Sequence, residues 1–257
     1  MPRRRCRPGA KVAESGRPSR VANDLLGLFQ PPDSVVFDLD GTLWDTCATC
    51  AVAWNQVLKR HGIAFRPITE HDVRRVAGRP HEECIRVVFT DVAEGDLLTL
   101  IAETQVEDNR LVGNSGALYP DVAAGLRRLQ ARYPLFIVSN CQAGYVERFF
   151  DWSGLGSCFR DFECWGNTGL SKSENLAALI ERNGLRHPVL VGDTPGDQAA
   201  ARACGVPFLY VDYGFGECEG RRSPLLLVRP SHRVAARPAT AHALSTVFPS
   251  PRRRRHE

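Results

Sequence analysis

Residues 35–43 of this chain read VVFDLDGTL. A short β-branched apolar run is typical of a buried strand, and this one delivers two carboxylates, Asp38 and Asp40, at the point where it ends. Because side chains alternate along a strand, the two acids would share one side if the strand continued. Carboxylates this close repel each other unless a cation or a proton lies between them, and Mg²⁺ is a hard ion that prefers oxygen ligands. The stretch therefore suggests a catalytic or metal-binding site, although an Asp-Gly turn is the simpler alternative.

Composition and charge limit the class of protein. With 257 residues, of which 43% are hydrophobic, the chain can form one large domain or a domain with an insertion. Residues 21–220 carry 17 Lys or Arg against 27 Asp or Glu, whereas both ends are rich in arginine. Arg-rich ends are usually solvated, so we expect no nucleic-acid partner. Residues 1–20 lack the apolar segment of a secretory signal and no run could span a bilayer, so we expect a cytoplasmic protein without a membrane partner.

The nine cysteines show no spacing that is typical of a disulfide framework. Cys47 and Cys50 form the one CxxC pair in the sequence, and no second pair with the spacing of a zinc site accompanies it. We therefore predict that the cysteines are reduced thiols.

Beyond the first strand the sequence shows two patterns. Residues 46–115 hold helical patterns with turn residues between them and no convincing strand. From Gly116 onward, apolar runs alternate with helical patterns, which is typical of right-handed βαβ units and a parallel sheet. We therefore predict an α/β fold, a doubly wound parallel, Rossmann-like sheet with an inserted small α-helical cap. The predicted later strands are 135–138, 162–165, 188–191 and 207–211.

The same patterns predict the domain organisation. Residues 31–45 and 116–248 would form the core domain, and residues 46–115 the helical cap. The remaining predicted parts are a basic, disordered segment at 1–30, a last strand at 225–228, a last helix at 239–247 and a basic tail at 249–257.

Polar groups able to bind phosphate or a metal follow the predicted strands. In doubly wound sheets, ligands bind beyond the carboxyl ends of the strands, so these groups would lie near one another. Taken singly, Asp193 and Asp197 are also compatible with helix caps, and Lys172 with a solvated surface lysine. The groups are Asp38 and Asp40, Ser139 and Asn140, Lys172, and Asp193 with Asp197.

In this order the groups resemble the four motifs of the haloacid dehalogenase (HAD) superfamily of phosphohydrolases. The resemblance covers about residues 33–215, and the first and fourth motifs are the specific ones. The helical insertion is similar in position to the α-helical cap of phosphoglycolate phosphatase and β-phosphoglucomutase relatives. The motifs are DLDGTL at 38–43, SN at 139–140, Lys172, and GDTPGD at 192–197.

The resemblance implies a role for each of these residues. Asp38 would be the nucleophile that forms an aspartyl-phosphate, and Asp40 the general acid and base for the leaving alcohol and the attacking water. Mg²⁺ would be held by Asp38, the backbone carbonyl of Asp40 and Asp193, and Asp197 would orient the metal's waters or Asp193. The phosphate would be bound by Ser139, Asn140 and Lys172.

The cap would select the substrate. Arg79 lies in a Gly-Arg-Pro turn between two predicted cap helices, at a position similar to the substrate-contact loop of these relatives. It is our candidate for binding a polar or anionic part of the substrate, and a surface arginine in a turn is equally compatible with the sequence.

The resemblance implies a Mg²⁺-dependent phosphatase that hydrolyses a small phosphorylated metabolite. Asp40 argues against cleavage of carbon-halogen bonds, because relatives with that activity lack an acid two residues after the nucleophile, whereas an alkoxide leaving group needs a proton. A phosphomutase of the β-phosphoglucomutase type and a catalytically silent HAD-like binding protein remain the alternatives.

Overall fold

Five parallel strands form the central sheet of the computed structural model, which describes residues 31–218. The predicted strand at 225–228, the predicted helix at 239–247 and both basic ends lie outside the described residues. The spatial order is β5-β4-β1-β6-β7, with β1 in the middle, and a separate antiparallel pair joins β2 to β3. In chain order the strands are β1 (Ser34–Phe37), β2 (Trp44–Asp45), β3 (Ala117–Leu118), β4 (Leu135–Ser139), β5 (Phe159–Cys164), β6 (Pro188–Gly192) and β7 (Phe208–Tyr210).

Both faces of the sheet are buried, which explains why its strands read as continuous apolar runs rather than alternating ones. Val35 and Phe37 of β1 pack into the larger apolar cluster, which also includes residues of the helical insertion. Val36, between them, faces the opposite way and packs with Phe136 of β4 and Leu190 of β6. The predicted doubly wound α/β fold is therefore confirmed.

Nine α-helices are found among residues 31–218, and their ends follow local signals. The first ends at Gly62, whose φ of 64° is in the left-handed region that favours glycine. Two others begin with a reciprocal capping box, formed by Ser171 with Glu174 and by Thr194 with Asp197. The helices are α1 (Cys47–His61), α2 (Glu70–Arg74), α3 (His81–Val88), α4 (Glu94–Val112), α5 (Val122–Gln130), α6 (Tyr145–Ser153), α7 (Trp165–Thr168), α8 (Lys172–Asn183) and α9 (Pro195–Ala203).

The first four helices form the insertion between β1 and the later sheet strands, as the sequence predicts. Within the insertion α1 packs against α4, and the rings of Trp54 and Phe89 are in contact, with centroids 6.1 Å apart. The sequence patterns do not show the short β2-β3 pair, which joins the two chain segments that enter and leave the insertion. The exact domain boundaries stay a prediction.

The eight cysteines within the described part of the chain are all free, in agreement with the prediction of reduced thiols. Between residues 31 and 218, no helix combines the length and the apolarity that crossing a membrane requires.

Candidate active site

Three buried carboxylates meet at the carboxyl edge of the sheet. Asp38 follows β1, and Asp193 follows the neighbouring strand β6. Asp197, in the first turn of α9, lies beside them, and one oxygen from each of the three lies within 4.8 Å of the others. The structure thus brings together three acids that are separated by up to 159 positions in the sequence.

Lys172 connects two of these carboxylates. Its Nζ donates to Asp38 Oδ1 and to Asp197 Oδ1, at 2.6 Å in each case. Burial disfavours the ammonium charge, but the two carboxylates more than offset this, so the pKa of Lys172 lies above its ordinary value. The side chain is 6% exposed, which excludes the alternative of a solvated surface lysine.

Asp197 is a helix cap and a site residue at once. Its Oδ2 accepts hydrogen bonds from the Thr194 hydroxyl at 2.6 Å and from the Thr194 backbone N–H at 2.9 Å, while Oδ1 accepts from Lys172. Both oxygens are therefore engaged with the protein. This arrangement suits a residue that orients its neighbours better than one that ligates a metal directly.

The Asp193 carboxylate is held by one hydroxyl and one backbone N–H, and two glycines pack closely against it. Its Oδ1 accepts from the Thr42 hydroxyl at 3.1 Å and its Oδ2 from the Phe215 backbone N–H at 2.7 Å. Gly41, with φ of +86°, and Gly214 approach so closely that a Cβ on either would clash with this carboxylate. The glycine of the DLDGTL motif is thus required both by its backbone conformation and by the space that Asp193 needs.

A cavity at this edge of the sheet is lined by both Asp38 and Asp40, and Asp40 belongs to a hydrogen-bonded triad. Its Oδ1 accepts from the Tyr145 hydroxyl at 3.0 Å and from Thr46 Oγ1 at 3.3 Å, and those two hydroxyls are 2.7 Å apart. Burial and the Asp38 charge raise the pKa of Asp40 to about 7, although the two hydroxyls lower it. A carboxyl group with a pKa near neutrality suits both proton donation and proton removal.

Ser139 and Asn140 end β4 at the same edge of the sheet. Ser139 Oγ accepts from the Cys141 backbone N–H at 3.2 Å, so that its own hydrogen can be donated elsewhere. Asn140 Nδ2 donates to the carbonyl oxygen of Gly78 at 2.8 Å, which ties this loop of the core to the turn between α2 and α3. The two residues therefore border the cavity, and one of them also contacts the cap.

Arg79, our candidate for contact with the substrate, is among the residues that line this cavity, and it already has a partner. Its Nη1 donates to Glu83 Oε1 at 2.5 Å, and its side chain is 48% exposed. A substrate group would have to displace or share that contact.

The prediction from sequence missed the two residues, Thr46 and Tyr145, whose hydroxyls hydrogen-bond to Asp40. Thr46 stands six residues after Asp40, so its proximity could have been inferred from the chain alone. Tyr145 is 105 positions away, and only the packing of α6 against the edge of the sheet brings it there. A tyrosine on an amphipathic helix gives no signal that distinguishes it from a core residue.

The acid cluster fits a divalent cation. Asp38, Asp193 and Asp197 are all buried, whereas within residues 31–218 a single ammonium, that of Lys172, contacts two of them. Burial and Asp197 raise the pKa of Asp193 to about 6, and burial with the same neighbour raises that of Asp38. Buried carboxylates with too little positive charge around them are what a hard, oxygen-binding ion such as Mg²⁺ neutralises.

Comparison with known proteins identifies the family of this chain. Residues 35–211 match the family of haloacid dehalogenase-like hydrolases. A phosphoglycolate phosphatase of Nitrosospira multiformis is 30% identical over 200 residues, which are 73% of this chain and 86% of that protein. One from Agrobacterium fabrum is 26% identical over 189 residues, which are 70% of this chain and 80% of that protein.

Solved structures show the same fold. A predicted phosphoglycolate phosphatase from Haemophilus somnus 129pt superposes with a TM-score of 0.66 at 22% identity, over 73% of this chain and 88% of that one. CbbY from Rhodobacter sphaeroides, in complex with phosphate, superposes with a TM-score of 0.62 at 17% identity, over 74% of this chain and 90% of that one. The predicted fold and the predicted class of enzyme, a hydrolase, are thereby confirmed: the chain belongs to the haloacid dehalogenase-like hydrolases.

Proposed function

We propose that this protein is a Mg²⁺-dependent phosphatase that hydrolyses a small phosphorylated metabolite through an aspartyl-phosphate on Asp38. One observation carries the proposal: Lys172 lies 2.6 Å from both Asp38 and Asp197, while Asp40, with its own hydroxyl partners, lines the same cavity. The names of the curated relatives, phosphoglycolate phosphatases, support a phosphate ester as the substrate.

In this proposal Asp38 attacks the phosphorus atom and displaces the alcohol. Phosphate monoesters resist attack because the anionic ester repels a nucleophile, so the site must offset charge and hold the attacking oxygen in line. Lys172 supplies a fixed positive charge beside the nucleophile, and the Ser139 hydroxyl and the backbone at Asn140 can donate to phosphate oxygens. The phosphoryl group then resides on a carboxylate, which is a good acceptor and a good leaving group.

Asp40 moves the protons. Its carboxyl group, protonated at first, donates to the leaving alkoxide, and its carboxylate then removes a proton from the water that hydrolyses the aspartyl-phosphate. Tyr145 and Thr46 hold Oδ1 in place, so one orientation of the carboxyl group serves both steps.

Asp38, the backbone carbonyl of Asp40 and Asp193 would hold Mg²⁺, with Asp197 orienting the surroundings. When bound, the ion offsets the negative charge of the phosphate and of the acid cluster. Arg79, which lines the cavity, remains our candidate for contact with the polar part of the substrate.

Phosphate release from small phosphorylated metabolites and from p-nitrophenyl phosphate tests the proposal. We expect release with Mg²⁺, none with EDTA, and loss of release in the Asp38→Asn variant. Asp91→Asn, an exposed acid of the insertion, is the matched control and should keep full activity. A folded protein that releases phosphate from no substrate would overturn the proposal and favour a phosphomutase or a silent binding protein.

A further inference from the structure

The active-site cavity has a second polar end, on the side of the helical insertion. Besides Asp38 and Asp40, the cavity is lined by Trp54 of α1, His81 of α3 and Asp108 of α4. We call these three side chains the cap wall. Each is at most 6% exposed, so the polar atoms of the cap wall are withdrawn from bulk water.

The hydrogen bonds of the cap wall fix where its protons lie. Thr104 Oγ1 donates to the Leu100 carbonyl at 2.5 Å, so at the 2.9 Å contact between Thr104 Oγ1 and His81 Nε2 the histidine must be the donor. Trp54 Nε1 donates to Asp108 Oδ2 at 3.1 Å, and His81 Nδ1 lies 3.5 Å from the same oxygen. One further proton can therefore reside on His81 Nδ1 or on Asp108 Oδ2.

With that proton in the contact between His81 Nδ1 and Asp108 Oδ2, Asp108 Oδ1 remains an acceptor without a donor. Oδ1 is one of three buried side-chain polar atoms in the described part of the chain that have no hydrogen-bond partner, and the other two belong to residues that do not line the cavity. The neighbouring Cys50 thiol contacts Thr46 Oγ1 at 3.8 Å and also interacts with the Asp108 carboxyl group, whose pKa it lowers, so a ligand hydroxyl would compete with this weak thiol donor. A buried acceptor without a partner carries an unrepaid desolvation cost, so a ligand that donates to it gains that interaction.

The charges around this atom restrict what the ligand can be. With one proton shared between them, His81 and Asp108 are neutral together, so they compensate neither a carboxylate nor an ammonium group. Lys172 contacts Asp38 but does not itself line the cavity; among the described residues that do, Arg79 is the one permanent cation, and it is already paired with Glu83. A substrate carboxylate beside Asp108 Oδ1 would bring two hydrogen-bond acceptors together, whereas a substrate hydroxyl can donate a hydrogen bond to Oδ1.

We propose that the cap wall binds a hydroxyl group of the substrate through Asp108 Oδ1, so that the preferred substrates are hydroxyl-bearing phosphate monoesters rather than phosphorylated carboxylic acids. This inference rests on the proposed phosphatase function and names its substrate class. It separates this chain from what the names of its relatives suggest, since 2-phosphoglycolate carries a carboxylate and no hydroxyl.

Three substrates test the inference: glycerol 3-phosphate, n-propyl phosphate, which lacks the two hydroxyls, and 2-phosphoglycolate. For the wild type we expect kcat/KM for glycerol 3-phosphate to exceed that for each of the others by about tenfold or more, the value of one hydrogen bond of about 1.4 kcal/mol. In the Asp108→Asn variant we expect Trp54 Nε1 to donate to the amide oxygen of residue 108, as it donates to Asp108 Oδ2 in the wild type. The amide NH₂ group then stands where Oδ1 stood, and it is a donor instead of an acceptor. The preference for glycerol 3-phosphate over propyl phosphate should then disappear, and the activity on 2-phosphoglycolate should rise.

Asp96→Asn, an exposed acid on the same helix, is the matched control and should keep the wild-type preference. Propyl phosphate reports whether the variant is folded and active, because it has no hydroxyl for Asp108 to bind. Equal rates on glycerol and propyl phosphates in the wild type, or an unchanged preference in Asp108→Asn, would overturn the inference and leave the phosphatase function standing. No hydrolysis of these three or of p-nitrophenyl phosphate would overturn the phosphatase function and the inference with it.

Discussion

The two ends of the active-site cavity are built in different ways. At the core end, the carboxylates follow neighbouring strands or start a helix, and Lys172, Thr194 and the Phe215 backbone N–H hold them with bonds of 2.6–2.9 Å. At the cap wall, side chains from three separate helices meet, are neutral together and leave one oxygen unpaired. The difference suggests that the core end fixes the reaction, whereas the cap wall is free to select the substrate.

Replacing Lys172 by methionine should have the largest effect, because it removes the one ammonium that contacts the acid cluster in the described structure. We expect kcat for p-nitrophenyl phosphate to fall by about 10³-fold, the usual effect of losing a fixed charge that stabilises a transition state. Lys59→Met, at an exposed position of α1, is the control. A folded Lys172→Met variant with near wild-type kcat would show that the core end does not depend on this charge.

The cap wall should instead govern how stability depends on pH. Burial raises the pKa of Asp108 to about 8 and lowers that of His81 to about 4. The folded state keeps the Asp108 proton that the unfolded chain loses near pH 4, so the Asp108 contribution to stability falls as pH rises from about 4 to 8. His81 is neutral in the folded state but protonated in the unfolded chain below about pH 6.5, so its contribution rises from about pH 4 to 6.5.

These two slopes cancel below about pH 6.5, and Asp108 alone acts from there to pH 8. His81 is present in both proteins, so the free energy of unfolding of Asp108→Asn relative to wild type reflects Asp108 alone and should increase with pH, by about 2 kcal/mol between pH 6.5 and 8. Urea unfolding of both proteins across this pH range measures the difference. Parallel curves for the two proteins would mean that Asp108 is ionised in the folded state, contrary to its raised pKa.

Tyr145→Phe should have a smaller effect, because Thr46 still contacts Asp40. The lost hydrogen bond stabilises the Asp40 carboxylate, so its removal should raise the pKa of Asp40 above its present value of about 7. If protonated Asp40 donates the proton to the leaving alkoxide, the alkaline limb of the pH profile of kcat/KM should shift to higher pH by about half to one unit. An unmoved limb, with activity otherwise reduced, would give Tyr145 a structural role only.

The same division explains how much could be read from the sequence. Asp38, Asp40, Asp193 and Asp197 were predictable because each motif is short and follows or precedes a recognisable strand or helix. The β2-β3 pair was missed because each strand has two residues and its partner lies some 70 positions away. The outcome therefore depends on whether a local motif marks each residue, and not on the sequence separation of the contacting groups.

The cap wall could not be predicted from sequence for a related reason. Trp54, His81 and Asp108 belong to three helices, and each occupies a position that the helical pattern assigns to the core. The one available signal was that α4 places two acids, Glu107 and Asp108, on its buried side, where apolar residues are usual. Glu107 pairs with Arg60 and Arg110, so the signal does not single out Asp108 without the structure.

The most direct test of the central claim, that Asp38 is the nucleophile and Asp40 the acid and base, uses the Asp40→Asn variant with p-nitrophenyl phosphate and Mg²⁺. p-Nitrophenolate leaves without a proton, so the first step should proceed, whereas hydrolysis of the aspartyl-phosphate should stall for lack of a base. Mass spectrometry of the quenched protein should find one phosphoryl group on the peptide that contains Asp38, and none in Asp38→Asn. Continuous turnover with no covalent phosphate, or a phosphoryl group on another residue, would contradict the assigned roles.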